Sequence, residues 1–198
     1  MTHDQSSPRV IVLGGPNGAG KTSSSRKLLA ETLGVMAFVN ADVIAQGLSG
    51  FAPESVAWEA SRIMLERLHA LAERREDFAL ETTLAGRSYS SWLAELRSSG
   101  YRVHLYYFWL ESPDLAVARV AERVRAGGHS IPEATIRSRY RQSLVNLFEL
   151  YLPLSDTWAV YNNSQLGCPR LIAQRHRQSL EVLCSDEWDQ MQHEAQHV

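Results

Sequence analysis

The chain has 198 residues, of which 44% are hydrophobic and 21% charged, and its 20 basic and 22 acidic side chains give a formal net charge of −2. A chain of this size can bury a core of its own, and its near-neutral charge argues against a dedicated nucleic-acid-binding protein. The hydrophobic stretches are too short to span a bilayer, residues 1–8 lack the apolar core of a signal peptide, and Cys168 and Cys184 form no disulfide framework. We therefore expect a cytoplasmic protein.

Short runs of β-branched or aromatic residues alternate along the chain with longer segments of helical periodicity. This alternation builds a mainly parallel sheet with helices on both faces, which is a three-layer α/β fold. We expect one domain over residues 9–184, with flexible polar ends at residues 1–8 and 185–198. The predicted strands are 10–13, 38–40, 78–81, 103–110 and 158–161, and the predicted helices are 21–33, 53–75, 88–99, 113–125 and 132–150.

A glycine-rich segment directly follows the first predicted strand and contains the pattern G-x-x-x-x-G-K-T. In such a loop, backbone N–H groups surround phosphate oxygens, the next helix contributes its positive end, and the lysine reaches the β and γ phosphates. The alternative is a strand-to-helix turn without a ligand. We predict a P-loop NTPase fold that binds ATP, with Lys21 also catalytic and the Thr22 hydroxyl coordinating Mg²⁺. The predicted nucleotide-binding residues are Gly15, Pro16, Asn17, Gly18, Ala19, Gly20, Lys21, Thr22 and Ser23.

Carboxylates follow the next two predicted strands, at Asp42 and Glu81. Ligands of parallel sheets bind beyond the carboxyl ends of the strands, so both side chains are candidates for the site. Asp42 could accept the proton of an acceptor hydroxyl or help to hold Mg²⁺, and its alternative role is a helix cap. Glu81 follows an apolar run and is expected to contact the substrate, whereas its alternative role is a structural ion pair with an arginine. The sequence lacks the acidic pair of motor ATPases, which favours transfer to an acceptor over hydrolysis.

Arginines are concentrated between residues 119 and 141. Arg119 and Arg123 share a helix face at i, i+4, Arg137 falls within the apolar stripe of the following helix, and Arg139 lies opposite that stripe. Phosphoryl transfer needs cations around the migrating group. We therefore predict a helical lid over residues 113–150, with Arg123 and Arg137 as catalytic arginines. The alternative is a solvated surface whose arginines are balanced by glutamates.

The ordered combination of motifs resembles the zeta-toxin family of P-loop kinases, which includes UDP-N-acetylglucosamine kinases, and within it the chromosomal branch described as ATPases. The resemblance implies that Asp42 is the catalytic base that activates a sugar 3′-hydroxyl. It also implies that Glu81 and Thr83 form a Glu-x-Thr substrate-binding motif and that Arg123 binds phosphate. The likeness extends over residues 9–162 and rests on Gly15 to Thr22, Asn40-Ala41-Asp42, Glu81-Thr82-Thr83 and Ala121-Glu122-Arg123.

Two positions depart from the family pattern. Ala85 stands where the toxins of the family carry an arginine, so that Arg87 is the nearest arginine, and His129 stands in the place of a second lid arginine. Both departures weaken a direct transfer of specificity for UDP-N-acetylglucosamine. The predicted acceptor-binding residues are Asn40, Asp42, Glu81, Thr83, Arg87 and His129.

The sequence thus predicts an ATP- and Mg²⁺-dependent kinase that phosphorylates a hydroxyl of a small molecule, with a UDP-sugar such as UDP-N-acetylglucosamine as the acceptor that the resemblance implies. Two alternatives stay open: a small-metabolite or nucleoside kinase of the same fold, and a nucleotide-dependent switch protein in a toxin–antitoxin-like system. The resemblance also implies an antitoxin-like protein partner. Neither a nucleic acid nor a membrane is expected as a partner.

Overall fold

The computed structural model describes residues 7–128, 130–165, 167–176 and 179–197, which form a seven-stranded sheet flanked by helices. The strands are β1 (Arg9–Gly14), β2 (Phe38–Val39), β3 (Phe78–Thr82), β4 (Arg102–Trp109), β5 (Thr157–Asn162), β6 (Arg170–His176) and β7 (Ser179–Val182). Their spatial order is β2-β3-β1-β4-β5-β6-β7. The first five strands run parallel, whereas β6 and β7 pair antiparallel.

The helices cover the sheet between consecutive strands. Among the described residues, no helix is both long and apolar enough to cross a membrane. The helices are α1 (Lys21–Arg26, continued by a π-helical stretch over Lys27–Leu33), α2 (Ala41–Leu48), α3 (Ala57–Glu73, preceded by a 3-10 turn over Pro53–Val56), α4 (Ser88–Ser98), α5 (Pro113–Arg125), α6 (Glu133–Asn146, followed by a π-helical turn over Leu147–Tyr151), α7 (Leu152–Leu154) and α8 (Ser185–Gln196).

The parallel part of the sheet confirms the predicted α/β fold. Strand β1 lies between β3 and β4, and Val10, Ile11, Val12 and Leu13 are each at most 1% exposed. Four consecutive buried aliphatic residues are expected only in a strand that is covered on both faces. Because β1 is central, the glycine-rich loop that follows it emerges in the middle of the carboxyl edge of the sheet, where ligands bind in such folds.

Local sequence signals delimit the lid helix α5. Its N-cap is Ser112, whose hydroxyl accepts a hydrogen bond from the Leu115 N–H (3.1 Å). At the other end Gly127 adopts φ 91°, and the Gly128 N–H donates to the Arg123 carbonyl (2.9 Å). This is the hydrogen bond of a Schellman motif, which ends a helix at a glycine of positive φ.

The prediction of a flexible tail at residues 185–198 was wrong. Helix α8 occupies most of this segment and buries Trp188 (8% exposed) and Met191 (0%). The Trp188 ring stacks on that of Trp158, with centroids 5.6 Å apart and planes inclined by 6°. Apolar residues at i, i+3 give this otherwise polar helix a stripe that docks on the domain, so the domain extends beyond residue 184.

Four further elements were not predicted: the helices α2 and α7 and the strands β6 and β7. The predicted flexible segment at residues 1–8 lies mostly outside the described residues. Within the described part, the Pro8 carbonyl accepts a hydrogen bond from the Arg102 N–H (2.8 Å). Pro8 is therefore held at the start of β4. Cys168 and Cys184 are free cysteines.

Candidate active site

Lys21 is the first residue of α1, directly after the glycine-rich loop. Its ammonium group donates hydrogen bonds to the carbonyls of Gly15 (2.8 Å) and Pro16 (3.0 Å). Burial lowers the pKa of Lys21, and the Glu81 carboxylate acts in the opposite direction. Lys21 is thus a cation shielded from water, and a charge in such surroundings acts strongly on an anionic ligand.

Two glycines of the loop lie where a side chain would not fit. Gly15 has φ 142°, and a Cβ there would be 2.3 Å from the Phe108 carbonyl oxygen of β4. Gly20 has φ 76°, and its Cβ would be 2.6 Å from Asn163 Nδ2. Both positions therefore combine a backbone conformation that favours glycine with a close contact. The loop is held against the ends of β4 and β5.

Asn163 and Arg119 anchor this loop, although neither was predicted as a site residue. The Asn163 side chain is buried, and its amide donates to the Ala19 carbonyl (2.7 Å). Arg119 of α5 donates to the carbonyls of Asn163 and Ser164, both at 2.8 Å. Together they connect the lid helix, the end of β5 and the phosphate loop.

Glu81, at the end of β3, joins three of the predicted site residues. Its carboxylate accepts hydrogen bonds from the Thr22 hydroxyl (2.8 and 3.0 Å) and from Asn40 Nδ2 (2.7 Å). Lys21 Nζ lies 3.9 Å from Glu81 Oε1. The structure therefore brings together side chains from α1, β3 and the end of β2. The alternative role of Glu81, an ion pair with an arginine, is not the one it has here, since its partners are a lysine, a hydroxyl and an amide.

Asp42 lies in the first turn of α2 with its side chain exposed at the cleft. The N-cap of α2 is Asn40, whose Oδ1 accepts from the N–H groups of Asp42 (2.7 Å) and Val43 (3.3 Å). Asn40 therefore takes the capping role that was the alternative for Asp42. The Asp42 charge is close enough to Lys21 to oppose, together with Glu81, the lowering of the lysine pKa by burial.

The lid helices bring Arg123 and Arg139 to the cleft, and the positive charges of both lower the pKa of the loop lysine. Arg137 lies elsewhere. It pairs with Glu133 (2.8 Å) and Asp114 (2.6 Å), which belong to the first turns of α6 and α5, and it is not among the residues that line the cleft. The structure therefore places Arg139, and not Arg137, in the cleft that Arg123 lines.

A single cleft of about 950 Å³ is lined by Lys21, Thr22, Asn40, Asp42, Glu81, Arg119, Arg123 and Arg139, whereas the predicted nucleotide-binding residues Gly15 and Pro16 do not line it. Arg87 does not line it; this exposed side chain lies 3.9 Å from Glu149. His129 lies outside the described residues. The lining residues fall into three groups. The first is the phosphate loop with the start of α1, residues 17–23. The second comprises the ends of β2 and β3 with the helices and loops that follow them, residues 40–42, 45, 53, 54, 57, 61, 64, 81–83, 85, 86, 88 and 89, and the third is the lid, residues 119, 122, 123, 126, 130–132, 135 and 139.

Oxygen donors beside Lys21 fit a magnesium ion. The Thr22 hydroxyl and the Glu81 carboxylate are within 3.0 Å of each other, and Asp42 lines the same cleft. Magnesium binds oxygen ligands and usually takes one or two protein groups together with phosphate oxygens and water. The described residues contain no cluster of three or more His, Cys, Asp or Glu that could hold a metal alone. The donor set therefore fits a metal that arrives with a nucleotide.

Comparison with known families decides which kind of P-loop protein this is. The family model described as "Zeta toxin" matches residues 1–165. The chain belongs to the zeta toxin family. An uncharacterized protein of Haemophilus influenzae, strain Rd, is a curated relative of this family member, with 28% identity over 132 residues that cover 67% of this chain and 92% of that protein.

Solved structures similar to this zeta toxin family member share its fold. A chain of the AvrRxo1-ORF1:AvrRxo1-ORF2 complex with sulphate ions matches 95% of it, with a TM-score of 0.78 and 16% identity. A structure of the PezAT chromosomal toxin–antitoxin system of Streptococcus pneumoniae matches 87% of it, with a TM-score of 0.62 and 20% identity, and 75% of that chain is covered. The present chain spans 64% of the AvrRxo1 chain. These likenesses confirm the predicted α/β fold.

Proposed function

We propose that this P-loop kinase of the zeta toxin family transfers the γ-phosphoryl group of ATP to a hydroxyl of a small molecule. The observation that carries the proposal is the position of Glu81, whose carboxylate joins Lys21 and Thr22 of the phosphate loop to Asn40, two residues before the exposed carboxylate of Asp42. A phosphate-binding group and a candidate general base thus line a single cleft.

The phosphate side of the cleft has the groups that ATP needs. Backbone N–H groups of the loop and the start of α1 would hold the phosphates, and Lys21 would neutralise charge on the β and γ groups. Arg123 and Arg139 would stabilise the charge that spreads over the equatorial oxygens of the migrating phosphoryl group. An AvrRxo1-ORF1:-ORF2 structure, which has a TM-score of 0.76 to this chain, was solved with ATP and supports ATP as the phosphoryl donor.

Thr22 and Glu81 would hold Mg²⁺, which, when bound, neutralises charge on the β and γ phosphates. The chain's own side chains orient the site and accept the proton. Asn40 and Lys21 fix the orientation of Glu81, and Asp42 accepts the proton of the attacking hydroxyl. Thr83, Ala85 and Gly86 of the loop that follows β3 also line the cleft, so we assign the acceptor to this side of it.

The acceptor that we propose is a UDP-sugar such as UDP-N-acetylglucosamine. Family membership supports this choice, and Asn40, Asp42, Glu81 and Thr83 all line the cleft where such a molecule would bind. A small metabolite or a nucleoside is the alternative acceptor. Two observations favour this alternative. Ala85 lines the cleft where the toxins of the family carry an arginine, and Arg87, the nearest arginine, lies outside the cleft beside Glu149.

The test is to incubate the protein with γ-labelled ATP, Mg²⁺ and a panel of UDP-sugars, sugars and nucleosides. Transfer of label to one acceptor supports the proposal, and label that appears only as free phosphate contradicts it. Asp42→Asn should lower the transfer rate by about 10² to 10⁴-fold and leave the affinity for ATP unchanged, because general base catalysis contributes an effect of that size.

The matched control is Glu59→Gln, which makes the same chemical change. Glu59 is exposed in the first turn of α3 and does not line the cleft. Its loss should change transfer by no more than about twofold, as for surface substitutions in general. Equal effects of the Asp42 and Glu59 substitutions would contradict a catalytic role of Asp42.

We also propose a protein partner of the antitoxin type, which would regulate access to the cleft, and a cytoplasmic location for both proteins. The AvrRxo1-ORF1 chain was solved with a second protein, and the PezAT chain belongs to a toxin–antitoxin system. The test is growth of a host that expresses this chain alone, compared with a host that expresses Asp42→Asn. Toxicity that depends on Asp42 would support the need for such a partner, and equal growth of both hosts would contradict it.

A further inference from the structure

The loop that follows β3, residues 83–87, borders the cleft on the side that we assign to the acceptor, and we call it the acceptor loop. Thr83, Ala85 and Gly86 line the cleft. Leu84 between them is fully buried and has φ 58°, in the left-handed region that residues other than glycine rarely adopt. Such a conformation persists only where the surroundings hold it in place.

Side chains of α6 and of the turn after it hold the acceptor loop by its carbonyl groups. Asn146 Nδ2 donates to the carbonyl oxygens of Leu84 (2.8 Å) and Ala85 (3.1 Å), and the Tyr151 hydroxyl donates to that of Gly86 (2.9 Å). Asn146 is only 1% exposed. Water cannot readily replace it, so its loss would leave the buried Leu84 carbonyl and the partly buried Ala85 carbonyl without this donor.

The phosphate loop holds the acceptor loop from the other side. A Cβ on Gly14, at the end of β1, would lie 2.7 Å from Leu84 Cδ1, so the leucine side chain packs directly against the start of the phosphate loop. The Leu84 N–H also donates to the Thr82 hydroxyl oxygen (3.2 Å). The acceptor loop is therefore wedged between the phosphate loop and the end of α6.

Helix α6 contacts both sides of the reaction site. Thr135, Arg139, Gln142 and Asn146 are separated by four, three and four residues, which places them on one face of the helix. Thr135 and Arg139 line the cleft, whereas Asn146 holds the acceptor loop about 10 Å further along the helix axis. One rigid element thus fixes the distance between a phosphate-side cation and the acceptor loop.

We propose that Asn146 is a positioning residue that sets the acceptor loop relative to Arg139, and that acceptor binding depends on it while ATP binding does not. This inference rests on the proposed function. Asn146 does not line the cleft, so it would act only through the loop carbonyls that it holds. A shift of the loop by a fraction of its width would misplace the acceptor hydroxyl with respect to the γ-phosphoryl group.

The test compares Asn146→Ala and Asn146→Asp with the unchanged protein, with ATP and UDP-N-acetylglucosamine as substrates. The KM for the acceptor should rise about tenfold or more, whereas the KM for ATP should change less than about twofold. Asn146→Asp keeps the size of the side chain but turns a carboxylate towards two carbonyl oxygens, so its effect should exceed that of Asn146→Ala. A similar rise in both KM values would overturn the proposal, and so would the absence of a rise in either.

Ser143→Ala is the matched control, because Ser143 is fully buried on the same helix and its hydroxyl shares a hydrogen bond with the Tyr107 hydroxyl (2.8 Å). The variant loses a buried hydrogen bond without touching the acceptor loop, and both KM values should stay within about twofold of the original. If it raised the acceptor KM as much as Asn146→Ala does, the Asn146 effect would be one of general stability and the positioning role would be refuted.

Two further measurements keep the result decisive. If the Asn146 variants do not fold, Tyr151→Phe removes only the hydroxyl that holds Gly86, and it should raise the acceptor KM alone; an unchanged acceptor KM counts against the proposal. If the unchanged protein phosphorylates no acceptor, the proposed function has failed, and amide hydrogen exchange then tests the loop by itself. Exchange over residues 82–88 should be faster in Asn146→Ala than in Ser143→Ala, and equal rates would overturn the inference.

Discussion

The phosphate-loop side of the cleft and the α6 side are held by different interactions. On the phosphate-loop side, buried side chains bind main-chain carbonyls: Lys21 binds those of Gly15 and Pro16, and Asn163 binds that of Ala19. Such contacts leave little freedom, because each lost bond exposes a buried polar group.

The α6 side combines surface ion pairs with a buried stripe. Arg137 pairs with Glu133 and Asp114, which are 61% and 78% exposed, and ion pairs of this kind contribute about 0 to 1 kcal/mol. The buried side chains of α6 are Ile136, Tyr140, Ser143, Leu144 and Asn146. The phosphate loop is therefore held by hydrogen bonds to its own main chain, whereas Arg139 is placed by the packing of the helix that carries it.

The largest expected effect is the loss of phosphoryl transfer when the cation on either side of the cleft is replaced. Lys21→Met should lower phosphoryl transfer by about 10³-fold or more, because it removes a buried charge that faces the phosphates. Arg139→Ala should lower transfer by about 10²-fold, since its side chain is exposed and water can partly replace its guanidinium group. The measurement is the initial rate with labelled ATP at saturating acceptor.

Arg137→Ala is the control for Arg139→Ala, since the two arginines share a helix. Arg137 is engaged by two acidic side chains outside the cleft, so its loss should change the rate by about threefold at most. A larger effect of Arg137→Ala than of Arg139→Ala would restore the interpretation drawn from the sequence and contradict the assignment of the cleft.

An intermediate effect concerns the rigidity of the phosphate loop. Gly20→Ala places a Cβ at 2.6 Å from Asn163 Nδ2 at a residue with φ 76°, and it should lower the free energy of unfolding by about 2 kcal/mol. Gly47→Ala in α2 meets nothing within 4 Å and should raise the free energy of unfolding by about 0.5 to 1 kcal/mol. Urea denaturation followed by circular dichroism measures both, and similar values for the two variants would argue against a rigid loop.

The smallest effect lies outside both sides of the cleft. Burial, with a smaller contribution from the Arg9 charge, lowers the pKa of His104 on β4, whose Nδ1 lies 2.7 Å from the Thr157 hydroxyl oxygen. The unfolded chain therefore binds a proton at a higher pH than the folded chain does. The stabilisation from His104 is complete above the ordinary histidine pKa of about 6.5 and is lost as the pH falls through the lower pKa of the folded state.

Urea denaturation between pH 8 and pH 5 should consequently show a decline in the free energy of unfolding below about pH 6.5. His104→Gln should make this decline shallower and leave ATP affinity unchanged. An identical pH profile in the variant would show that other groups cause the decline.

The phosphate loop could be predicted from the sequence because its chemistry is local. Gly15 to Thr22 are consecutive, and the strand before them and the helix after them have clear periodicity. The position of Glu81 at the edge of the sheet that carries the phosphate loop also followed from the sequence, since parallel strands end at one edge of a sheet, whereas its hydrogen bonds to Thr22 and Asn40 were not predicted. Asn163 and Arg119 could not be found in this way, because their partners lie 144 and 44 residues away along the chain.

The assignment of Arg137 failed because of a limit of helical periodicity. Ile136, Tyr140 and Leu144 define the buried stripe of α6, and at 100° per residue Arg137 lies about 60° to one side of its centre and Arg139 about 100° to the other. The pattern gives the angle from the stripe but not which flank faces the cleft. That choice depends on where α6 meets the acceptor loop, through Asn146 and other contacts between distant residues.

Helix α8 has a practical consequence for anyone who shortens this protein. The Tyr140 hydroxyl oxygen lies 2.7 Å from the Leu110 carbonyl oxygen and 3.2 Å from Glu194 Oε2, so α8 packs against α6, the helix that carries Arg139. A truncation after residue 184 would expose the Trp158 indole to solvent and remove the contact between α8 and α6. Loss of catalysis in a trimmed protein would then reflect a weakened scaffold and would not mean that the last helix touches the substrate.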